Sequence, residues 1–196
     1  MKIFLDCDDT ILESSKCIIR LLNKKNGIDK TFDDLKDFQY RSIDKTLTTK
    51  DVLGIFESDD FWKEVEYNQD FLDSVKFLKD NFEVNIVTCG TKANLYKKQM
   101  FLRNLGFNFA GLLVDESLNL CKSRINMQDS IQIDDNINSL ENTNATIKIL
   151  LKNYREFQWN KTKPNIKNLY VVNNWDEIIE ILNYIKSNPW FIEETK

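Results

Sequence analysis

The chain has 196 residues, with 27 Lys and Arg against 31 Asp and Glu, a net charge of −4, 42% hydrophobic residues, 5 Gly and 2 Pro. That length suits one domain with room for a small insertion, and so few Gly and Pro exclude long flexible linkers. The acidic balance fits poorly with tracking a nucleic-acid polymer, which needs a basic stripe, and the complete lack of His excludes Ser-His-Asp and Cys-His mechanisms, leaving proton transfer to carboxylates, Lys, Tyr or Cys.

The first segment, Lys2-Ile3-Phe4-Leu5-Asp6, reads as a short buried strand ending in an acid. Its apolar run stops too early for a signal peptide, and no stretch approaches the roughly 18–20 apolar residues of a membrane span. The four cysteines, Cys7, Cys17, Cys89 and Cys121, form no CxxC pair. With no His beside them they lack zinc-binding spacing and read as small buried residues of a reduced, cytoplasmic protein.

A helix is predicted over 14–26, with Cys17, Ile18, Leu21 and Leu22 on one face and Gly27 just past its end. From Ile28 to Tyr67 the pattern turns acidic, aromatic and helical, with no strand signal. Thr31-Phe32-Asp33-Asp34 resembles a capping box with Asp in place of Glu, and Thr49 and Ser58 are candidate caps for two further short helices. A helix follows over 70–80, then an alternating strand over 82–88, then a helix capped by Thr91 and stopped by Gly106. Phe109–Val114 is a short apolar run, 130–134 a strand ending in acid, and 136–141 a short helix. Segments 145–151 and 169–172 read as strands, and Asn174-Trp175-Asp176-Glu177 as a capping box opening a helix to Lys186. Strands alternating with helices predict an α/β fold, a Rossmann-like parallel sheet flanked by helices, with residues 16–68 as a small helical cap and 1–15 plus 69–196 as the core.

Ligands of such sheets bind beyond the carboxyl ends of the strands, and three segments of chemical interest stand at strand ends. In Asp6-Cys7-Asp8-Asp9-Thr10 the carboxylates of Asp6 and Asp8 project to the same side of extended chain and repel unless a cation intervenes. One can attack phosphorus, and the other can move protons. The same residues also suit a plain strand-to-helix turn. Ile133-Asp134-Asp135-Asn136 repeats the device, with a capped turn as its alternative. Thr88-Cys89-Gly90-Thr91 offers a hydroxyl and backbone N–H groups to phosphate oxygens, with Thr91 also serving as a helix cap. Lys122 lies between the last two segments as a cation for phosphoryl transfer, with Lys92 and Arg124 as rivals.

Asp6 to Thr10, Thr88, Lys122 and Asp134-Asp135, in that order, resemble the four motifs of haloacid dehalogenase-like hydrolases, most of which are phosphatases. The resemblance spans about residues 1–186. It implies that Asp6 is the nucleophile and a magnesium ligand, and that Asp8 is the general acid/base and binds magnesium through its backbone carbonyl. Thr88, with Cys89 and Gly90, then binds substrate phosphate, Lys122 stabilises charge, and Asp134 and Asp135 serve the Mg2+. A helical stretch after the first motif corresponds to the family's cap. Within the family, Asp134-Asp135, Lys122-Ser123 and Phe61-Trp62 are most similar to 5'(3')-deoxyribonucleotidases. Those usually carry Gly after the second aspartate and Pro after the second motif, where this chain has Asp9 and Thr91.

The expectation is a magnesium-dependent phosphomonoesterase working through an aspartyl-phosphate on a small phosphorylated substrate, a nucleoside monophosphate among the candidates. No polymer or membrane partner is expected, and the sequence carries no sign of oligomeric state. A polynucleotide 3'-phosphatase, another small-metabolite phosphatase and a non-catalytic phosphate-ligand-binding protein are the alternatives. Phe38, Tyr40, Phe56, Phe61 and Trp62 either contact substrate or pack the cap.

Overall fold

In the computed structural model the described residues are 1–37, 39–113, 121–152, 157, 160–161 and 165–188. Six strands form one parallel sheet in the order β3-β2-β1-β4-β5-β6. They are β1 (Lys2–Leu5), β2 (Glu83–Gly90), β3 (Asn108–Leu113), β4 (Ser130–Asp134), β5 (Ile147–Leu151) and β6 (Leu169–Val172). Parallel pairing requires helical crossovers that cover both faces, so central strands bury their whole length. Every residue of β4 and β5 is buried accordingly. The winding order reverses between β1 and β4, which opens a crevice at their carboxyl ends.

The helices are α1 (Ser14–Asn26), α2 (Thr49–Glu57), α3 (Asp59–Glu64), α4 (Gln69–Asn81), α5 (Lys92–Leu102), α6 (Ile137–Glu141) and α7 (Trp175–Ser187). Alpha-1 stops where Gly27 adopts φ 62°, a left-handed conformation that costs Gly little. Thr31 and Asp34 close the expected box around a single tight turn. Ser58 caps α3 as expected, but α2 is capped by Thr48 rather than Thr49. The physical reason is spacing. Asp51 stands three residues after Thr48, so its carboxylate accepts from the Thr48 N–H at 2.8 Å while the Thr48 hydroxyl accepts from Asp51 N–H. At the start of α7 the Asn174 side chain accepts from Glu177 N–H, while Glu177 reaches back to the N–H of Asn173 at 3.0 Å.

The chain leaves the sheet for its helical stretch and returns to it along a zipped pair of segments. Leu12 bridges Tyr67 in antiparallel sense, flanked by Glu13 N–H to Glu66 O at 2.9 Å and Asn68 N–H to Ile11 O at 2.8 Å. The stretch between, including α2 and α3, leaves and returns at one point beside the end of β1 and is tied again to α5, where Asn94 donates to Phe56 O at 3.2 Å and Lys97 to Glu57 O at 2.6 Å. One buried cluster runs from Ile3 and Leu5 in the sheet through Ile18 of α1 and Phe61 of α3 to Phe71 of α4 and Trp175 of α7. No helix among the described residues is long and apolar enough to cross a membrane.

Candidate active site

The pairing of β1 with β4 continues one residue past the strand, through Asp6 N–H to Ile133 O at 2.9 Å. Asp6 therefore stands beside Asp134 at the reversal of strand order. Carboxylate oxygens of Asp6, Asp134 and Asp135 lie within 4.8 Å of one another, and all three residues are buried or nearly so. Lys122, in the turn Cys121–Arg124, reaches into this group. Its ammonium donates to Asp6 at 2.5 Å and to Asp134 at 2.7 Å. Ser139 Oγ at 2.6 Å and the Asn136 N–H at 3.0 Å fix the Asp134 carboxylate further. Asn136 also caps α6, so the capped-turn reading of this segment and the acidic-cluster reading are both realised.

Burial dominates the electrostatics. Desolvation pushes the Asp6 carboxyl up to about 6 against the pull of Lys122, with the charges of Asp134 and Asp8 adding to the rise. Asp135 is held well above the ordinary carboxylate range by burial and then by the charges of Asp9, Asp6 and Asp134. Burial acts against the Lys122 ammonium, but Asp134 and Asp6 outweigh it and hold its pKa above the usual lysine range. Three crowded, desolvated carboxylates with one ammonium between two of them are short of positive charge. An all-oxygen donor set of this kind suits a hard divalent cation such as Mg2+.

Asp8 points elsewhere. Its carboxylate accepts from Ser14 Oγ at 2.7 Å and pairs with the ammonium of Lys98, which is 1% exposed. Lys98 also donates to Thr88 Oγ1 at 2.8 Å and to Cys89 O at 3.3 Å. The mutual repulsion of Asp6 and Asp8 is thus met by two lysines, one beneath each acid. Because Lys98 occupies a lone pair of Thr88, the hydroxyl proton of Thr88 is free to turn toward a ligand. Lys98 is the functional residue that sequence reading missed. Its pattern position, one lysine of a Lys97-Lys98 pair on an ordinary helix, carries no signal, and the second turn of α5 reaches the site only because β2 ends there.

A cavity of about 490 Å³ opens over these groups and is lined by Asp6, Asp8, Thr88, Cys89, Gly90, Lys122, Asp134 and Asp135, every residue that the sequence singled out for the site. Lys92 and Arg124 do not line it. Gly90 has a packing reason as well: a Cβ there would lie 2.3 Å from Asn94 Oδ1, whose amide donates to Phe56 O at 3.2 Å. Asp9, in the position usually held by Gly in the nucleotidases that the sequence resembles, has φ 53°, a left-handed conformation that Asp tolerates. Its carboxylate accepts from the N–H of Ser15 at 2.8 Å and from the Ser15 hydroxyl, and Ser15 Oγ lies 2.7 Å from the Tyr40 hydroxyl.

The aromatic residues between β1 and β2 divide. Tyr40 and Phe56 line the cavity, whereas Phe61 is fully buried and Trp62 packs edge-on against it, its indole N–H on Phe56 O at 2.8 Å. Phe38 lies outside the described residues, as do Val114 and the side chain of Cys121. Cys7 and Cys17 are buried as expected, while Cys89 is half-buried.

No family model and no curated protein matches the sequence. Solved structures do match. A haloacid dehalogenase-like hydrolase from Streptococcus pneumoniae superposes with a TM-score of 0.60 at 15% identity, over 94% of this chain and 97% of that one. A predicted phosphatase from Clostridium acetobutylicum gives 0.61 at 16%, over 93% and 98%. A HAD-hydrolase from Bacillus subtilis, bound to magnesium, gives 0.55 at 17%, over 93% and 98%. At these identities the likeness establishes the fold: the chain has the haloacid dehalogenase-like fold over nearly its whole length.

Proposed function

We propose that this protein is a magnesium-dependent phosphomonoesterase with Asp6 as its nucleophile. The observation that carries the reading is the gathering of Asp6, Asp134 and Asp135 around one point, with Lys122 bridging the first two. The reading assigns the metal to these three carboxylates and the Asp8 backbone carbonyl, where it offsets the charge of the phosphate oxygens. Among the fold's solved representatives, the Bacillus subtilis hydrolase is bound to magnesium.

The chain's own groups divide the work as follows. Thr88, with the backbone around Cys89 and Gly90, orients the phosphate. The Asp6 carboxylate attacks phosphorus, the bond from phosphorus to the ester oxygen breaks, and an aspartyl-phosphate forms. Asp8 gives its proton to the departing alcohol oxygen. It then takes a proton from the water that attacks the aspartyl-phosphate, which frees inorganic phosphate and restores Asp6. Lys122 holds Asp6 in line and offsets charge as the phosphoryl group transfers. The helical stretch of about residues 16–68 acts as a cap, since α2 faces the strand ends across the cavity. Tyr40 and Phe56 on that side suit a nucleoside as the leaving group, which makes a nucleoside or deoxynucleoside monophosphate the favoured substrate.

Phosphate release from an aryl phosphate with magnesium tests the reading, wild type against Asp6→Asn. The isosteric amide keeps the cavity but cannot form the acyl phosphate, so turnover is expected to vanish. Activity that survives this change rules out Asp6 as nucleophile.

A further inference from the structure

The cavity has two unlike halves. Its floor holds the charge: the carboxylates of Asp6, Asp8, Asp9, Asp134 and Asp135 against the ammoniums of Lys98 and Lys122. The rest of the lining, its wall, is uncharged: Tyr40, Val52, Leu53 and Phe56 supply apolar surface, with neutral amides and hydroxyls such as Gln39, Thr49, Asn138 and Asn142 beside them. Among the described residues no other Lys or Arg lines the cavity. Both lysines are already engaged, Lys98 by Asp8 and Lys122 by Asp6 and Asp134.

A phosphate dianion at the floor meets these lysines and the metal. Among the described residues, a second anionic group on the same molecule meets along the wall only Lys98, whose ammonium lies 5.7 Å from the Phe56 ring centroid and is already paired with Asp8. It would lose its hydration against apolar side chains while five acids stand behind it, an arrangement that disfavours a buried charge strongly. Leu53 adds an independent pointer. It is half-buried, lines the cavity, and belongs to none of the buried apolar clusters of the described residues. An apolar side chain offered to a cavity rather than to the core is a contact for the apolar part of a ligand. The volume, about 490 Å³, falls among pockets of about 300–1,000 Å³ that enclose whole small molecules rather than a phosphate alone.

We infer that the site takes esters with a single phosphate on an uncharged, partly apolar leaving group, and rejects those whose leaving group bears a carboxylate or a second phosphate. This deepens the phosphomonoesterase reading and rests on the same site. It also disfavours a polynucleotide end, whose neighbouring phosphates are anionic.

Phenylphosphonate and 4-carboxyphenylphosphonate test it, because their phosphorus–carbon bonds survive and they differ by one charge. Titration calorimetry on the full chain with magnesium is expected to show the first binding at least about tenfold tighter. In Leu53→Lys, which puts a cation on the wall, that preference is expected to narrow or invert. Equal affinities in the wild type, tighter binding of the carboxylate, or binding of neither overturns the inference. Phosphate release from phenyl phosphate, measured alongside, reads the catalytic proposal separately. A binding preference without release keeps the ligand class and removes hydrolysis, whereas release without a preference does the reverse.

Discussion

The buried ammonium of Lys98 pairs with the carboxylate of Asp8, a residue 90 positions away in the chain. The same ammonium donates to Thr88 and to the carbonyl of Cys89, so one side chain sets the orientation of an acid and a hydroxyl on two neighbouring strand ends. If Asp8 moves the proton of the leaving group, Lys98→Met should matter in proportion to how much that proton is needed. An alkyl phosphate is expected to lose about 100-fold in kcat, the lower end of general acid–base contributions. A p-nitrophenyl ester, whose leaving group departs without a proton, is expected to lose less than about tenfold. Steady-state rates for the two esters decide it. Equal losses mean that Lys98 only supports the fold.

Lys122 should behave differently, because it bridges two carboxylates, Asp6 and Asp134, where Lys98 pairs with Asp8 alone. Lys122→Met leaves Asp6 and Asp134 buried without their shared cation. Breaking a buried pair from one side costs about 3–5 kcal/mol, and urea unfolding of the metal-free variant is expected to show a loss of that order. Magnesium should restore more stability to the variant than it adds to the wild type. A metal-free stability equal to wild type contradicts the bridging role.

These two lysines mark what the sequence made legible and what it did not. Asp6, Thr88 and Asp134 are readable from their places near strand ends, since position in a parallel sheet predicts position at a site, whereas Lys122 stands out from Lys92 and Arg124 only through the order of motifs in the resemblance. Every expected strand and helix is present, because apolar periodicity and caps such as Ser58, Thr91 and Asn136 are local signals. Thr48 was missed in favour of its neighbour because two threonines in a row both qualify until the reach of Asp51 chooses. Lys98 was illegible for a deeper reason. A buried lysine on a helix has no pattern of its own, and its partner is defined only by packing of α5 on β2. Asp9 lay between these cases. The departure from Gly is visible in the sequence, but only the backbone shows that Asp9 has φ 53° and that its carboxylate binds Ser15.

The crowded acids predict how pH and magnesium interact. Burial raises Asp6 to about 6 and Asp9 to about 7, and holds Asp135 well above the ordinary carboxylate range. A carboxyl with a raised folded-state pKa stabilises the fold most when protonated in both states, below its unfolded value. That contribution is lost as pH rises through the folded value. The chain has no His, so nothing of that type titrates in the same window. Metal-free protein is therefore expected to lose Tm between about pH 5 and about pH 8. Magnesium competes with those protons and should raise Tm more at the higher pH. Thermal scans with chelator or with magnesium test both statements. A metal-free Tm that is flat or rises over this range contradicts them.

The last prediction concerns the wall of the cavity. Asp9 and Tyr40 both hold positive φ, 53° and 59°, and Ser15 connects their side chains. Such conformations cost about 1–3 kcal/mol each and persist only where the surroundings fix them. Ser15 is what fixes these two to each other: its hydroxyl binds the Asp9 carboxylate on one side and lies 2.7 Å from the Tyr40 hydroxyl on the other. Ser15→Ala removes both contacts and leaves all the proposed catalytic groups in place. The expected stability loss is about 1–2 kcal/mol, the scale of one or two buried hydrogen bonds. If Tyr40 is held there to shape the cavity around the leaving group, KM should rise several-fold while kcat stays within about twofold, since the binding lost is shared equally by ground state and transition state. Steady-state kinetics on phenyl phosphate separates the two constants. A fall in kcat with KM unchanged would instead place the Asp9, Ser15 and Tyr40 chain in support of Asp8, through the turn they share.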